Sequence, residues 1–91
     1  MNPAALDAAL ARVPEAVRVR CPRGKKSALV FKALCAQGQQ TTASIEFWTG
    51  LSAMQVLGAI KRLLAQGLVE SAGMVQAPGR LRCSSYQIVG L

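Results

Sequence analysis

Arg18, Arg20, Arg23, Lys25 and Lys26 crowd into nine residues, and Ser52, Gln55, Lys61 and Arg62 follow on a later helical segment. Guanidinium and ammonium groups of this kind do one sort of chemistry well, which is to hold phosphate and carboxylate oxygens. Groups that would make or break bonds are scarce. There is no histidine, and the four carboxylates, Asp7, Glu15, Glu46 and Glu70, are scattered. With no nucleophile and base pair and no glycine-rich phosphate loop, the chain reads as a binding protein and not an enzyme. Cys21, Cys35 and Cys83 are odd in number and widely spaced, so they read as reduced thiols, with neither a disulfide framework nor a metal site, and no cofactor is expected.

A chain of 91 residues is one small domain, which buries roughly 60 to 65% of its unfolded surface and so has a modest core. Hydrophobic residues at 52% against 16% charged are a globular composition. Eleven Lys and Arg against four Asp and Glu leave a net charge of +7, and a pI near 10.2 points to a polyanionic partner, most commonly nucleic acid. No run reaches the ~18 apolar residues of a membrane span, and Asp7 interrupts the first apolar stretch, unlike a secretory signal. A cytoplasmic location and no membrane partner are expected.

These side chains must be positioned by short elements. Asn2 and Pro3 start a helix over about 3 to 13, with Leu6, Ala9, Leu10 and Val13 as its stripe until Pro14. That stripe is short and must dock, either within the chain or on a twin copy. Residues 15 to 26 read EAVRVRCPRGKK, either a basic arm lying along phosphates or a solvated linker. Ser27 is expected to cap a helix over about 27 to 37, where Leu29, Val30, Ala33 and Leu34 make the buried face. Phe31 and Cys35 lie on another side, open to the N-terminal helix. Thr41 or Thr42 caps a helix over about 42 to 49, Gly50 turns the chain, and Ser52 caps a helix over about 53 to 66 that Gly67 closes. LVESAGMVQ and RLRCSSYQIV then read as a hairpin with Pro78 and Gly79 at its tip. The division expected is an N-terminal helix and basic linker over 1–26 and a domain over 27–91.

The pattern T-x3-I-x3-TGLS-x3-V-x3-I-x2-LL-x2-GLVE over 41–70, followed by a basic hairpin and Tyr86, Gln87, Ile88, resembles the winged helix-turn-helix domains of bacterial transcription regulators. The resemblance covers residues 27–89 and implies an α+β, mainly α fold: a three-helix core and a C-terminal hairpin wing, here with an extra N-terminal helix. It further implies that residues 53–66 enter the major groove of double-stranded DNA while the wing, about 76–83, touches the backbone.

The faces of that helix agree. At about 100° per residue with Val56 as zero, Ile60 falls near 40°, Leu63 near −20° and Leu64 near 80°, an apolar core face. Met54, Gly58, Lys61, Arg62, Ala65 and Gln55 lie opposite. Carried over, Ser52 and Gln55 are the groove-facing polar groups, and Arg80 and Arg82 the wing contacts. Gln55 is either a direct reader, pairing with adenine through both ends of its carboxamide, or an ordinary exposed residue. Met54 and Gly58 sit centrally on this face, and Lys61 and Arg62 reach phosphates, as would Arg23, Lys25 and Lys26. Glu46 is expected to be partly buried beside Lys61 or Arg62. Trp48 is either an interaction anchor or packed on the N-terminal helix, and Leu6 and Leu10 would carry a partner contact if that helix pairs two copies.

Two functions follow as expectations. The first is a small DNA-binding transcriptional regulator acting as a homodimer. The alternative is a winged helix used for protein contact in a replication, transcription or regulatory assembly.

Overall fold

The structure, a computed structural model, describes residues 3–76 and 82–91. It is a small α+β domain in which five helices precede a hairpin: α1 (Pro3–Arg12), α2 (Glu15–Arg18), α3 (Lys25–Gln37), β1 (Gln40–Thr41), α4 (Thr42–Thr49), α5 (Ala53–Ala65), β2 (Val69–Gln76) and β3 (Arg82–Ile88). The strands form one antiparallel sheet in the order β1-β3-β2. No described helix is long and apolar enough to cross a membrane.

The central element is α3. Val30, Phe31, Ala33 and Leu34 are fully buried on it, because α1 packs on one side while α4 and α5 pack on the other. Leu6, Val13 and Val17 join the same core as Ile45, Val56, Ile60, Leu63, Val69 and Ile88. This corrects the role expected of Leu6: at 1% exposure it is sealed within its own chain and has no surface to offer a partner, while Leu10 is half-buried against the core. The stretch 15–26 is neither an extended arm nor a plain linker at its start, since α2 buries Val17. Arg18 and Arg20 are drawn back onto backbone carbonyls, Nη1 of Arg18 donating to Ala11 at 3.3 Å and Nε of Arg20 to Ala16 at 3.0 Å.

Ser27 does not cap α3. The helix starts two residues earlier, with Gly24 extended at its N-cap and accepting the first helical bond from the Ala28 amide at 2.8 Å, and Ser27 is buried inside. The boundary drawn between 26 and 27 therefore falls in the first turn of α3.

Two features of the sheet were not expected. β1 adds a third strand, pairing Gln40 with Tyr86 and Thr41 with Ser85. A bulge shifts the register between Ser71 and Gly73, where Gly73 takes φ 89°, a left-handed conformation open to glycine at little cost. Polar side chains hold that bulge: Gln39 Nε2 donates to Ser85 Oγ at 2.8 Å and to the Ala72 carbonyl at 3.3 Å, and Ser85 Oγ donates to the Gly73 carbonyl at 2.9 Å. The hairpin is thereby tied to the connection that leads into α4.

Candidate nucleic-acid interface

The site grows from the turn between α4 and α5. Thr41 caps α4 through its hydroxyl, which accepts from the Ser44 amide at 3.3 Å, and Gly50 ends that helix in the left-handed region at φ 74°, ψ 8°. Ser52 then starts α5 with a capping box. Its hydroxyl accepts from the Gln55 amide at 3.3 Å while Gln55 Oε1 accepts from the Ser52 amide at 3.0 Å.

That box changes what Gln55 can do. Two-ended pairing with adenine uses the oxygen and the nitrogen of the carboxamide together, and here the oxygen is already engaged. Ser52 is likewise committed to its cap. Replacing Ser52 by alanine is expected to cost about 1 kcal/mol of unfolding free energy, and by glycine only a few tenths. Urea unfolding of the two variants checks this; equal losses would mean that the hydroxyl caps nothing.

On α5, Val56, Ala59, Ile60 and Leu63 are buried and the opposite face is open. Leu64, expected in the core, is 40% exposed, because the buried arc is closed by Ala59 on its far side and leaves Leu64 at its rim beside Leu57. Met54 is 84% exposed, and a Cβ built on Gly58 meets nothing within 4 Å. The face is apolar at its centre, with Lys61 and Arg62 toward its C-terminal half.

Lys26, Gln55, Met54, Gly58, Ala59 and Arg62 together line a cleft of about 220 Å³ between the start of α3 and α5. Sequence spacing had no means of joining Lys26 to Arg62; the packing of α3 on α5 does so. Arg23 and Lys25 are exposed beside the start of α3. Arg80 lies outside the described residues, as does the side chain of Arg82. Those two are not placed relative to α5.

The cations divide into two sets. Lys32 is taken by Asp7 at 2.7 Å, and Arg18 and Arg20 by carbonyls. Among the described residues, that ion pair is the single one, so Glu46, half-buried, pairs with neither Lys61 nor Arg62, contrary to expectation. Trp48 also differs from an exposed anchor. It is half-buried against the core, and the exposed ring is its neighbour Phe47, at 80%, set edge-on to Trp48 with 6.4 Å between centroids. An aromatic at position 47 carried no signal of its exposure, since the helix could have turned either ring outward.

Cys21 and Cys35 are half-buried, and burial favours their protonated form. Burial pushes the Cys35 thiol from 9.0 up to about 11, helped by the nearby Cys21, and burial also raises Cys21, against the opposing pull of Lys32. A thiol whose pKa is raised on folding keeps its proton longer than in the unfolded chain. Stability from this source is complete below pH 9 and is lost as pH rises from about 9 toward 11. Thermal melts at stepped pH should decline over that window in the protein and less so in a Cys35→Ala variant.

No protein-family model matches the chain, and no curated protein matches it.

Proposed function

We propose that the chain is a winged helix-turn-helix domain that binds duplex DNA, with α5 against the major groove and the β2–β3 hairpin as its wing, and that it acts as a small transcriptional regulator. The observation that carries this reading is the set of exposed cations free of internal partners among the described residues: Lys26, Lys61 and Arg62 on or beside one face of a helix that follows a tight, capped turn. With the Gln55 oxygen engaged in the cap, affinity comes chiefly from phosphate contacts and from shape, and direct base reading is slight. A homodimer on a spaced, roughly palindromic site would supply the base contacts that one helix lacks. Leu6, buried within its own chain, would not take part in such an interface.

A second reading has an observation of its own. Phe47, Met54 and Leu57 are exposed on α4 and α5, which suits a protein partner in a regulatory or replication assembly. Fluorescence anisotropy with mixed-sequence duplexes at low salt separates the two. Binding to duplex is expected; no binding to any duplex leaves the protein-contact reading in its place.

A further inference from the structure

We propose that the cleft between the start of α3 and α5 is a seat for a single phosphate group, clamped by Lys26 and Arg62. That the occupant is a backbone phosphate of bound duplex rests on the DNA-binding reading above; the seat itself rests on four observations.

First, the two cations come from different elements and line the same cleft, and neither side chain has a hydrogen bond or an ion pair among the described residues. No carboxylate lines it, so two like charges share a concavity with no counter-charge from the chain. A bound dianion or phosphodiester relieves that repulsion, the guanidinium offering a two-pronged contact and the ammonium a point charge.

Second, the start of α3 is built differently from those of α4 and α5. The latter two satisfy their first amides with Thr41 and with the Ser52–Gln55 box, whereas α3 has Gly24 as N-cap and no capping side chain. Its first turn contains no acid and two lysines, the reverse of what the positive end of a helix favours, unless an anion comes to it.

Third, the lining of the cleft includes Gly58 on the exposed face of α5. A Cβ on Gly58 meets nothing within 4 Å, so packing within the chain does not require glycine there, although glycine weakens a helix interior by about 1 kcal/mol relative to alanine. Close approach of a ligand's own backbone is a reason for it.

Fourth, the size suits a small group. About 220 Å³ falls below the ~300 to 1,000 Å³ of pockets that enclose drug-sized molecules. It has room for a phosphate with part of its hydration shell. One phosphate enters, and the sugar and base remain outside. Gln55 Nε2, on the free end of the engaged carboxamide, supplies a further donor at the rim.

The test uses the full chain and the variants Lys26→Gln, Arg62→Gln, both together, and Lys61→Gln, whose position lies outside the cleft lining. Duplex affinity is measured by anisotropy across a salt series. Each neutralised phosphate contributes about 0.9 to the slope of log affinity against log salt. Two cations on one phosphate therefore predict that either single variant loses well under ~0.9 of slope, because the remaining cation still neutralises that phosphate, and that the double variant loses roughly 0.9 in all, whereas two cations on separate phosphates would lose roughly 0.9 each and 1.8 together. Gly58→Ala is expected to melt higher than the parent and bind duplex roughly tenfold more weakly, as its methyl takes up space in the cleft. In a second arm, inorganic phosphate is titrated into the DNA-free protein and backbone amide shifts are followed. Saturable shifts at Lys26, Gln55 and Gly58 that vanish in the double variant support the seat.

The outcomes separate the seat from the DNA reading. Duplex binding in which each single variant loses roughly 0.9 and the double variant roughly 1.8, or in which the double variant loses nothing, overturns the shared seat and leaves DNA binding standing. Absence of duplex binding together with the phosphate-dependent shifts retires the DNA reading and keeps the seat as a free-phosphate site. Failure in both arms removes both.

Discussion

Raising salt about fourfold, from ~50 to ~200 mM, is expected to cut affinity for a mixed-sequence duplex by roughly 500-fold. The magnitude follows from sorting the cations. Lys32, Arg18 and Arg20 are bound within the chain, and Arg12 sits in the last turn of α1, where its charge meets the negative end of that helix. Arg23, Lys25, Lys26, Lys61 and Arg62 remain exposed at the start of α3 and on α5. Five phosphates neutralised at about 0.9 each give a slope near −4.5, which over a fourfold change is a loss of roughly 10^2.7. Sharing of one phosphate by Lys26 and Arg62 would lower the slope to about −3.6 and the loss to roughly 150-fold, while contacts from Arg80 and Arg82 would raise both. Affinity that is indifferent to salt would show that these side chains do not carry the binding.

Phe31→Ala is expected to destabilise the fold by about 3 to 5 kcal/mol, out of a total that for a domain of this kind is about 5 to 15. Phe31 is fully buried on α3, the helix on which α1, α4 and α5 all pack, so its loss leaves a cavity at the centre of the core. At about 4 to 8 °C per kcal/mol for a chain of this length, the melting temperature should fall by more than ~12 °C. DNA binding should fall with it on warming, because the orientation of α5 relative to Lys26 depends on that packing. Circular dichroism melts measure this directly. A loss below about 1 kcal/mol would mean that α1 is not seated on α3 and that Phe31 is half-open in solution.

The sequence and the fold agree best where local rules decide. Thr41, Gly50 and Ser52 specify the ends of α4 and α5 by hydrogen bonds and backbone freedom that span three or four residues, and those ends fall within a residue of expectation. The period of Val56, Ile60 and Leu63 assigns the buried face of α5 for the same reason. Leu64 escapes it, because an angle near the rim is settled by the neighbouring helix and not by the period. At the start of α3 the local signal misleads: Ser27 is a good cap by type, yet burial of its side chain favours a helix beginning at Lys25. The same shift moves Lys25 and Lys26 from a linker onto a helix end.

By itself, then, the sequence determines that this is a small basic α+β chain with two capped helices joined by a tight turn, a C-terminal hairpin, and a surplus of cations over groups for catalysis. Those properties follow from composition and from interactions between near neighbours along the chain. Only the tertiary structure decides which cations are free, that Gln55 is engaged in its own helix cap, that Leu6 is sealed inside while Phe47 is exposed, and that Lys26 shares a cleft with Arg62. Each of these depends on which surfaces of α1, α3 and α5 meet, a choice made by burying the largest apolar area at once and recorded in no single stretch of residues.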